Sequence, residues 1–444
     1  MEPVRRAPLQ DRTEVASSPD SDEISGVMKI EAPVPPNRIS RTSSLWSKLV
    51  HVAGLPLLVG LAIFVLEGEF SVRYFKQAWP IMVGLGVAYV GAWGLSSRFE
   101  RYPFINQFEA ALYSTSLTIL PVGIVLYTLP VSPLRNLALV TGLASIAWYL
   151  GDKFLSRLRF ARFLVLPGGL TNALAGVEGV ERLPQKDNSD IDGVVVDLHR
   201  PLNGEQDFLA VQSMKGVPVY HAGFLYEVLT GRVFLEAACS ESTRERHHTI
   251  YPAIKRLMDL AIVLVSLPIV LPVSLLTAAA IRLESEGDVL FWQQRVGQNG
   301  ETFDMVKFRS MYTGNVGEDE ARFASETDSR VTRVGQFIRN YRIDELPQFW
   351  NVLRGEMSII GPRPEQPEYV DQYRESIPHY NRRHSVKPGI TGWAQVRMGY
   401  AADEEENRHK VEHDLYYVKN YSIVLDLLII YLTIKTILTG FGAR

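Results

Sequence analysis

The sequence predicts a membrane protein of mixed α and α/β class: a four-helix transmembrane bundle, a Rossmann-like α/β domain, and a mostly α C-terminal domain with a re-entrant membrane hairpin. Three observations predict it. Four apolar stretches, at about 49–66, 78–95, 110–130 and 134–151, each approach the roughly 20 residues that cross a bilayer. From about Arg159 to Arg246 the pattern changes to alternating strand and helix signals. A further apolar segment, 257–281, holds two prolines near its middle. The expected divisions are a disordered N-terminus over 1–44, four helices within 45–152, the α/β domain over 153–248 and the C-terminal domain over 249–444.

The chain has 444 residues, 46% of them hydrophobic, and a formal net charge of −3. That length accommodates two or three domains, and near-neutral charge gives no sign of a nucleic-acid partner. A single cysteine, Cys239, excludes an intrachain disulfide and suits soluble parts in a reducing cytosol. Residues 1–44 carry Pro33, Pro35 and Pro36 among many Ser, Asp, Glu and Arg residues, without apolar periodicity, so disorder is expected there. No apolar core lies near Met1, which argues for a cytosolic N-terminus without a signal peptide.

Around the four apolar stretches the basic residues sort by side. Arg38, Arg41, Lys48, Arg98, Arg101, Lys153, Arg157, Arg159 and Arg162 flank one side, whereas Arg73, Lys76 and Arg135 flank the other. The positive-inside rule therefore puts both ends of the bundle in the cytosol. No charged residue lies deep inside the first two stretches, so nothing reads as an ion path. The bundle reads as an anchor or an assembly surface, the latter compatible with a homo-oligomer.

In the α/β domain, RFLVLPGG reads as a strand ending in a glycine turn, IDGVVVDL and VPVYHA as strands, and EQDFLAVQSMKG as a helix. Gly168-Gly169 could cradle a phosphate, but G-x-G-x-x-G is missing, so a structural or oligomerising module is the favoured reading over a dinucleotide site. The nine histidines show no metal-ligand spacing.

Segment 257–281 is long enough to span, yet Pro268 and Pro272 should break a helix there. Lys255 and Arg256 precede it and Arg282 follows it, so both ends prefer the cytosolic side. The expectation is a re-entrant helix-break-helix. Apolar residues also fill 423–439, interrupted by Asp426 and Lys435, which suits an interfacial or partly buried helix.

The C-terminal domain concentrates charged residues that suit phosphate. Arg295, Lys307, Arg309, Arg330, Arg333, Arg339 and Arg342 precede an adjacent acid pair, Asp344 and Glu345. Leu346, Phe349, Trp350 and Leu353 recur at helical spacing and Gly355 supplies a stop, so Asp344 reads as an N-cap, kept ionised by the helix dipole. Pro347 fits the first turn. In Gly361-Pro362-Arg363-Pro364 a guanidinium stands between two fixed-φ residues, an arrangement suited to presenting a bidentate donor to phosphate. The plain alternative is a capped helix, a solvated glutamate and a stiff turn. Trp393, in a turn-rich stretch, either faces nucleotide or membrane or packs in the core.

Four stretches in order decide between these readings: KRLMD (Lys255 to Asp259), FWQQRVGQNGETFDMVKFRSM (Phe291 to Met311), DELPQFWNVLRGEMSIIGPRPE (Asp344 to Glu365) and VKPGITGWAQV (Val386 to Val396). Together they resemble the bacterial sugar transferases, the polyprenyl-phosphate phosphoglycosyl transferases with a re-entrant membrane hairpin, from about Tyr251 to Gly442. With four N-terminal membrane helices the chain resembles the large members that prime exopolysaccharide, capsule or O-antigen assembly. Two departures stand out. The second proline of the hairpin follows Leu271 where the family often has Ser-Pro, and Arg397-Met398-Gly399 stands where it often has Asn-Gly-Arg.

The resemblance implies transfer of a sugar-1-phosphate from a UDP-sugar to a polyprenyl phosphate, with release of UMP, at the cytosolic face of a bacterial inner membrane. It implies that Asp344 attacks the β-phosphate and that Glu345 binds Mg²⁺, a cation suited to carboxylate and phosphate oxygens. Lys307 and Arg339 are by resemblance the best candidates to hold phosphate, and Arg363 and Arg295 complete the expected set. The competing readings are a metal-dependent glycosyltransferase and a non-enzymatic membrane scaffold or nucleotide sensor.

Overall fold

A computed structural model describes residues 26–30, 72–103, 105, 107–128, 132–155, most of 161–199, 205–235, 250–312, 330–398 and 404–439. These fall into two compact units, Met1–Glu31 with Ala161–Ala222, and Ala32–Phe160 with Gly223–Arg444.

The first unit holds a five-stranded sheet in the order β3-β1-β2-β4-β5. Its strands are β1 (Gly26–Ile30), β2 (Ala161–Val165), β3 (Val180–Leu183), β4 (Gly193–Val196) and β5 (Val219–His221). The short helix α1 (Thr171–Leu174) follows β2, and α2 (Gln206–Met214) joins β4 to β5. Strands β2, β4 and β5 run parallel, as the alternating sequence pattern suggests. Val194, Val195 and Val196 are fully buried, as expected of a parallel strand covered on both faces. One expectation is overturned: residues 26–30, placed in a disordered N-terminus, form β1, antiparallel to both β2 and β3. Its pairing partners lie far along the chain, so local composition carries no trace of them. The Gly168-Gly169 turn also has a structural partner. Gly169 (φ 60) does not open onto a phosphate, because a Cβ there would meet Asp197 Oδ2 at 2.1 Å, and the Leu170 N–H donates to that oxygen at 2.9 Å.

The second unit begins with α3 (Val72–Phe99), α4 (Gln107–Thr128) and α5 (Ser132–Leu155), which coincide with three of the four expected apolar stretches. The stretch at 49–66 lies outside the described residues. Leu85, Ala88, Ala92, Ala111, Ile119 and Tyr149 form their shared core, with small residues allowing close backbone approach. Val83, Val87, Leu120, Ile124 and Val125 point outward. Among the described residues two helices are long and apolar enough to cross a membrane, Gln107–Val125 and Tyr251–Glu284.

Helix α6 (Ala222–Thr230) and the described residues after it pack into the C-terminal part, and the first compact unit ends at Ala222. Leu235 is fully buried there, and the Val233 N–H donates to the Glu412 carbonyl at 3.1 Å. Trp393 is core: it is buried, and its Nε1 donates to the Gly231 carbonyl at 2.9 Å.

Helix α7 (Tyr251–Glu284) is continuous over 34 residues, so Pro268 and Pro272 do not break it. Proline's fixed φ is itself helical, and two missing N–H donors leave most of the ladder intact. Lys255, counted in the sequence as a cytosolic flank, is buried in an ion pair with Asp426. Beyond α7 come the antiparallel hairpin β6 (Leu290–Val296) and β7 (Thr302–Phe308), then α8 (Arg333–Asn340) and α9 (Phe349–Arg354). The parallel pair β8 (Ser358–Ile360) and β9 (Gly389–Thr391) brackets α10 (Pro367–Ser376). The described chain closes with α11 (Trp393–Arg397), α12 (Glu404–Lys419) and α13 (Ile423–Thr439). In α13, Leu425, Leu428 and Ile429 are fully buried, and Asp426 accepts hydrogen bonds from Tyr251 and Tyr417 as well as Lys255.

Candidate functional site

The acid pair sits where α8 turns into α9. Arg342 takes a left-handed conformation (φ 54), and Ile343–Gln348 form a 3-10 turn that runs into α9, which Gly355 (φ 85) ends as expected. Asp344 is therefore inside the turn and is not the N-cap, a place Arg342 takes.

The apolar stripe read from the sequence splits: Leu346 and Phe349 pack against buried clusters, and its other two members do not. Trp350 and Leu353 are 53% and 43% exposed, whereas Glu345, Gln348 and Asn351 are buried. The reason is what lies opposite. Strand β7 presents backbone polar groups, and Asn351 answers them: its Oδ1 accepts from the Val306 N–H at 3.1 Å and its Nδ2 donates to the Asp304 carbonyl at 2.7 Å. A buried amide that satisfies backbone groups is worth more there than an apolar side chain that strands them. Asn351 thereby fixes the register between the acid pair and Lys307, which neighbours Val306 on β7.

Three cations converge on Glu345. An Arg363 guanidinium nitrogen donates to Oε1 at 2.9 Å, Lys307 Nζ stands 3.9 Å from the same oxygen, and Arg342 lies 3.9 Å from Oε2. Burial pushes the Glu345 carboxyl up, but Arg363, Lys307 and Arg342 together outweigh it and hold the group at about 2. Asp344 behaves oppositely: burial, then the charge of Glu345, raises it to about 6 against the pull of Lys307, Arg363 and Arg339. A dipole-stabilised, readily ionised Asp344 was expected, and burial beside a second carboxylate outweighs so short a turn. Lys307 is pushed down to about 8, by burial and then by Arg363.

The Arg363 loop is built from backbone packed on backbone. The Gly361 N–H donates to the Thr391 carbonyl and the Gly389 N–H to the Pro362 carbonyl, both at 2.9 Å. A Cβ on Gly389 would meet the Gly361 nitrogen at 2.0 Å, and one on Gly392 would meet the Gly361 carbonyl oxygen at 2.2 Å. The glycines of the KPGITGW stretch thus exist to let the Pro-Arg-Pro loop dock. Arg383, buried and paired with Asp414, donates to the Arg363 carbonyl at 2.7 Å. Arg295 stands behind the loop, donating to the Pro364 carbonyl at 3.2 Å and to Gln293, and Glu365 joins it to Lys410.

Of the residues expected from sequence, Asp344, Glu345, Lys307, Arg363 and Arg339 meet in one region, with the Arg339 Nε tethered to Ser310 at 2.8 Å. Arg295 is one layer back, as a support of the loop. Arg309, offered as a phosphate ligand, instead closes the end of α7 by donating to the carbonyls of Ser285 and Glu286. Asn351, Arg383, Asp414 and Lys410 were not singled out. Nothing local marks them, since each is defined by a partner distant in sequence. The residues fit Mg²⁺ in one respect: two carboxylates supply hard oxygens, and Glu345 Oε2 has only the loose Arg342 contact.

The family model of bacterial sugar transferases matches residues 250–440. A UDP-glucose:undecaprenyl-phosphate glucose-1-phosphate transferase of Caulobacter vibrioides is 42% identical over 187 residues, which are 42% of this chain and 70% of that one. The chain belongs to the bacterial sugar transferase family. A UDP-N-acetylgalactosamine-undecaprenyl-phosphate N-acetylgalactosaminephosphotransferase of Aeromonas hydrophila is 51% identical over 256 residues, 57% of this chain. The Escherichia coli (strain K12) UDP-glucose:undecaprenyl-phosphate glucose-1-phosphate transferase is 43% identical over 185 residues, 41% of this chain. The matches span 60% and 39% of these two relatives' lengths. The sugar transferase match covers every residue of the acid-pair site and begins one residue before α7.

Proposed function

We propose that the chain transfers a sugar-1-phosphate from a UDP-sugar to a polyprenyl phosphate such as undecaprenyl phosphate, releasing UMP, in the priming step of exopolysaccharide, capsule or O-antigen synthesis. The observation that carries this reading is a half-buried Asp344 beside the buried Glu345, with Lys307, Arg339 and Arg363 drawing on its charge. That is a nucleophile set among donors for phosphate oxygens.

In the first half-reaction an Asp344 carboxylate oxygen attacks the β-phosphorus. The bond from that phosphorus to the bridging oxygen breaks, and UMP leaves with the electron pair. A polyprenyl phosphate oxygen then attacks the same phosphorus, and the bond to Asp344 breaks, returning the carboxylate. Arg363, Lys307 and Arg339 hold the phosphoryl oxygens in both steps, and Arg383 and Asn351 keep Arg363 and Lys307 in register. Mg²⁺, held by Glu345 with Asp344 beside it, would neutralise diphosphate charge that otherwise repels a carboxylate.

The site is best read as lying on the cytosolic face of a bacterial inner membrane, held by four N-terminal helices and by α7, which re-enters through a bend at Pro268 and Pro272 that leaves it one helix, with the Rossmann-like unit as an accessory. Both ends of α7 attach to the same compact part: Asp259 accepts from Ser358 and Ile359, while Ile281 packs with Phe308 and Ile338. Between them Leu264, Val265, Ile269, Leu275 and Leu276 are exposed. Trp350 and Leu353 then present an apolar surface beside the acid pair.

Incubating membranes with a panel of UDP-sugars and polyprenyl phosphate tests the reading. UMP supports it, UDP indicates transfer of the sugar alone, and neither product leaves a scaffold or nucleotide sensor.

A further inference from the structure

The spacing of the nine histidines shows no metal site, yet the fold of the first unit brings two of them together with an aspartate. Asp197 follows β4, His199 comes two residues later, and His221 ends β5; the parallel register Val196↔His221 brings all three to the C-terminal edge of the sheet. That edge is where open parallel sheets place their ligands. The ligand atoms lie within 4.8 Å of one another. His199 Nδ1 is 2.8 Å from His221 Nε2, His221 Nε2 is 3.6 Å from Asp197 Oδ1, and His199 Nδ1 is 4.0 Å from the same oxygen. In a tetrahedral site with bonds near 2.0–2.1 Å, donor atoms stand roughly 3.3 Å apart, a value these separations bracket.

The carboxylate is already oriented. Leu170 N–H donates to Oδ2 at 2.9 Å and His199 N–H to Oδ1 at 3.0 Å, and Gly169 supplies the space that any Cβ would fill. Outer hydrogen bonds of this kind hold a metal ligand in place. Asp197 is buried, His221 half-buried and His199 exposed.

We propose that Asp197 Oδ1, His199 Nδ1 and His221 Nε2 bind one divalent transition-metal ion of the Zn²⁺ class, with the remaining coordination position open to water or a small anion. Two imidazoles and one carboxylate suit Zn²⁺ or Co²⁺ better than Mg²⁺ or Ca²⁺, which take all-oxygen shells. This separates the site chemically from the carboxylate pair at Asp344 and Glu345. Binding replaces the His199–His221 hydrogen bond with two metal bonds, each ring carrying its proton on the other nitrogen. Three protein ligands and an open position are the arrangement of a reactive or exchangeable site, whereas closed structural sites use four.

The test uses the full chain in detergent, stripped with a chelator, desalted, and titrated with Zn²⁺ by calorimetry in excess Mg²⁺, then with Co²⁺ by visible absorption. The wild type should bind one Zn²⁺ per chain and give the intense absorption of four-coordinate Co²⁺. His199→Ala and His221→Ala should each weaken Zn²⁺ binding by about 10- to 100-fold, the size expected for losing a ligand or its support. Metal-free thermal unfolding checks that the variants fold, and His199→Gln serves where the alanine variant does not. Absence of saturable Zn²⁺ binding by the wild type overturns the proposal whatever the variants do. Unchanged affinity and stoichiometry in folded histidine variants overturns it as well, leaving a hydrogen-bonded cluster without a metal.

Discussion

Arg363 reaches Glu345 from the far side of a Pro-Arg-Pro loop, with a guanidinium nitrogen 2.9 Å from Oε1, and this contact ties the loop to the acid pair. Arg363→Lys should lower turnover about 10- to 100-fold, because an ammonium cannot reproduce the guanidinium fork. Initial rates of UMP release, with folding checked by circular dichroism, measure it; a rate within twofold of wild type would place Arg363 outside the reaction.

Asp344→Asn should abolish UMP release and also stabilise the protein at high pH. The sign follows from the raised carboxyl, about 6 folded against an ordinary value of 3.8. Deprotonation is harder in the folded state, so the ionised group costs stability, fully above about pH 6 and not at all below about pH 4. Asparagine removes that cost, ~1–2 kcal/mol after allowing for the partial exposure of the side chain. Thermal unfolding of both proteins between pH 4 and 8 reads it. A gap that widens toward acid would contradict the assignment.

Asn351→Ala strands the buried Val306 N–H and removes the donor to the Asp304 carbonyl, which lies nearer the surface. A loss of roughly 1–3 kcal/mol is expected, the cost of one buried polar group left without a partner. Chemical denaturation in detergent measures it, and a loss below about 1 kcal/mol would show that the β7 register is held by other contacts.

Gly389→Ala should remove activity more than stability predicts. The added methyl meets backbone at the Gly361 nitrogen, so the Pro-Arg-Pro loop must move and carry Arg363 with it. Activity that survives while the Arg363→Lys variant is dead would mean that the loop yields without displacing the guanidinium.

Truncation distinguishes the observed division from the one expected from sequence. A chain starting at Thr249 loses Leu235 and the Gly231 carbonyl that receives Trp393, whereas one starting at Gly223 keeps both. The shorter chain should unfold several degrees lower, as expected for losing a buried leucine and a buried hydrogen bond. Equal midpoints would place 223–235 outside the cooperative unit.

The expected site was legible to an unusual depth because its residues are clustered in the chain. Asp344, Glu345 and Arg363 lie within one stretch, Lys307 lies in the quoted stretch before it, and Arg339 stands five residues before Asp344. The helices of the apolar stretches and the strands β2, β4 and β5 were legible for a similar reason, since periodicity is a local property. Strand β1 was not, because a short strand is defined by partners that local composition does not name.

By itself the sequence determined which groups are available: an acid pair, a proline-framed arginine, long apolar segments and a family wording that runs through the last two-fifths of the chain. Tertiary structure decided what each group is. It turned the polar side of the 345–351 turn inward, because β7 offers buried backbone groups that only an amide such as Asn351 satisfies. It kept α7 whole through two prolines and buried Lys255 against Asp426. It split the two neighbouring carboxylates, holding Glu345 at about 2 through three cations within 4 Å of its oxygens, and leaving Asp344 at about 6 because burial and the charge of Glu345 outweigh the pull of Lys307, Arg363 and Arg339. It set Asp197, His199 and His221 at one sheet edge through a parallel strand register. In each case the deciding quantity is a distance between residues far apart in the chain, and such distances are set by packing, which spacing along the sequence does not encode.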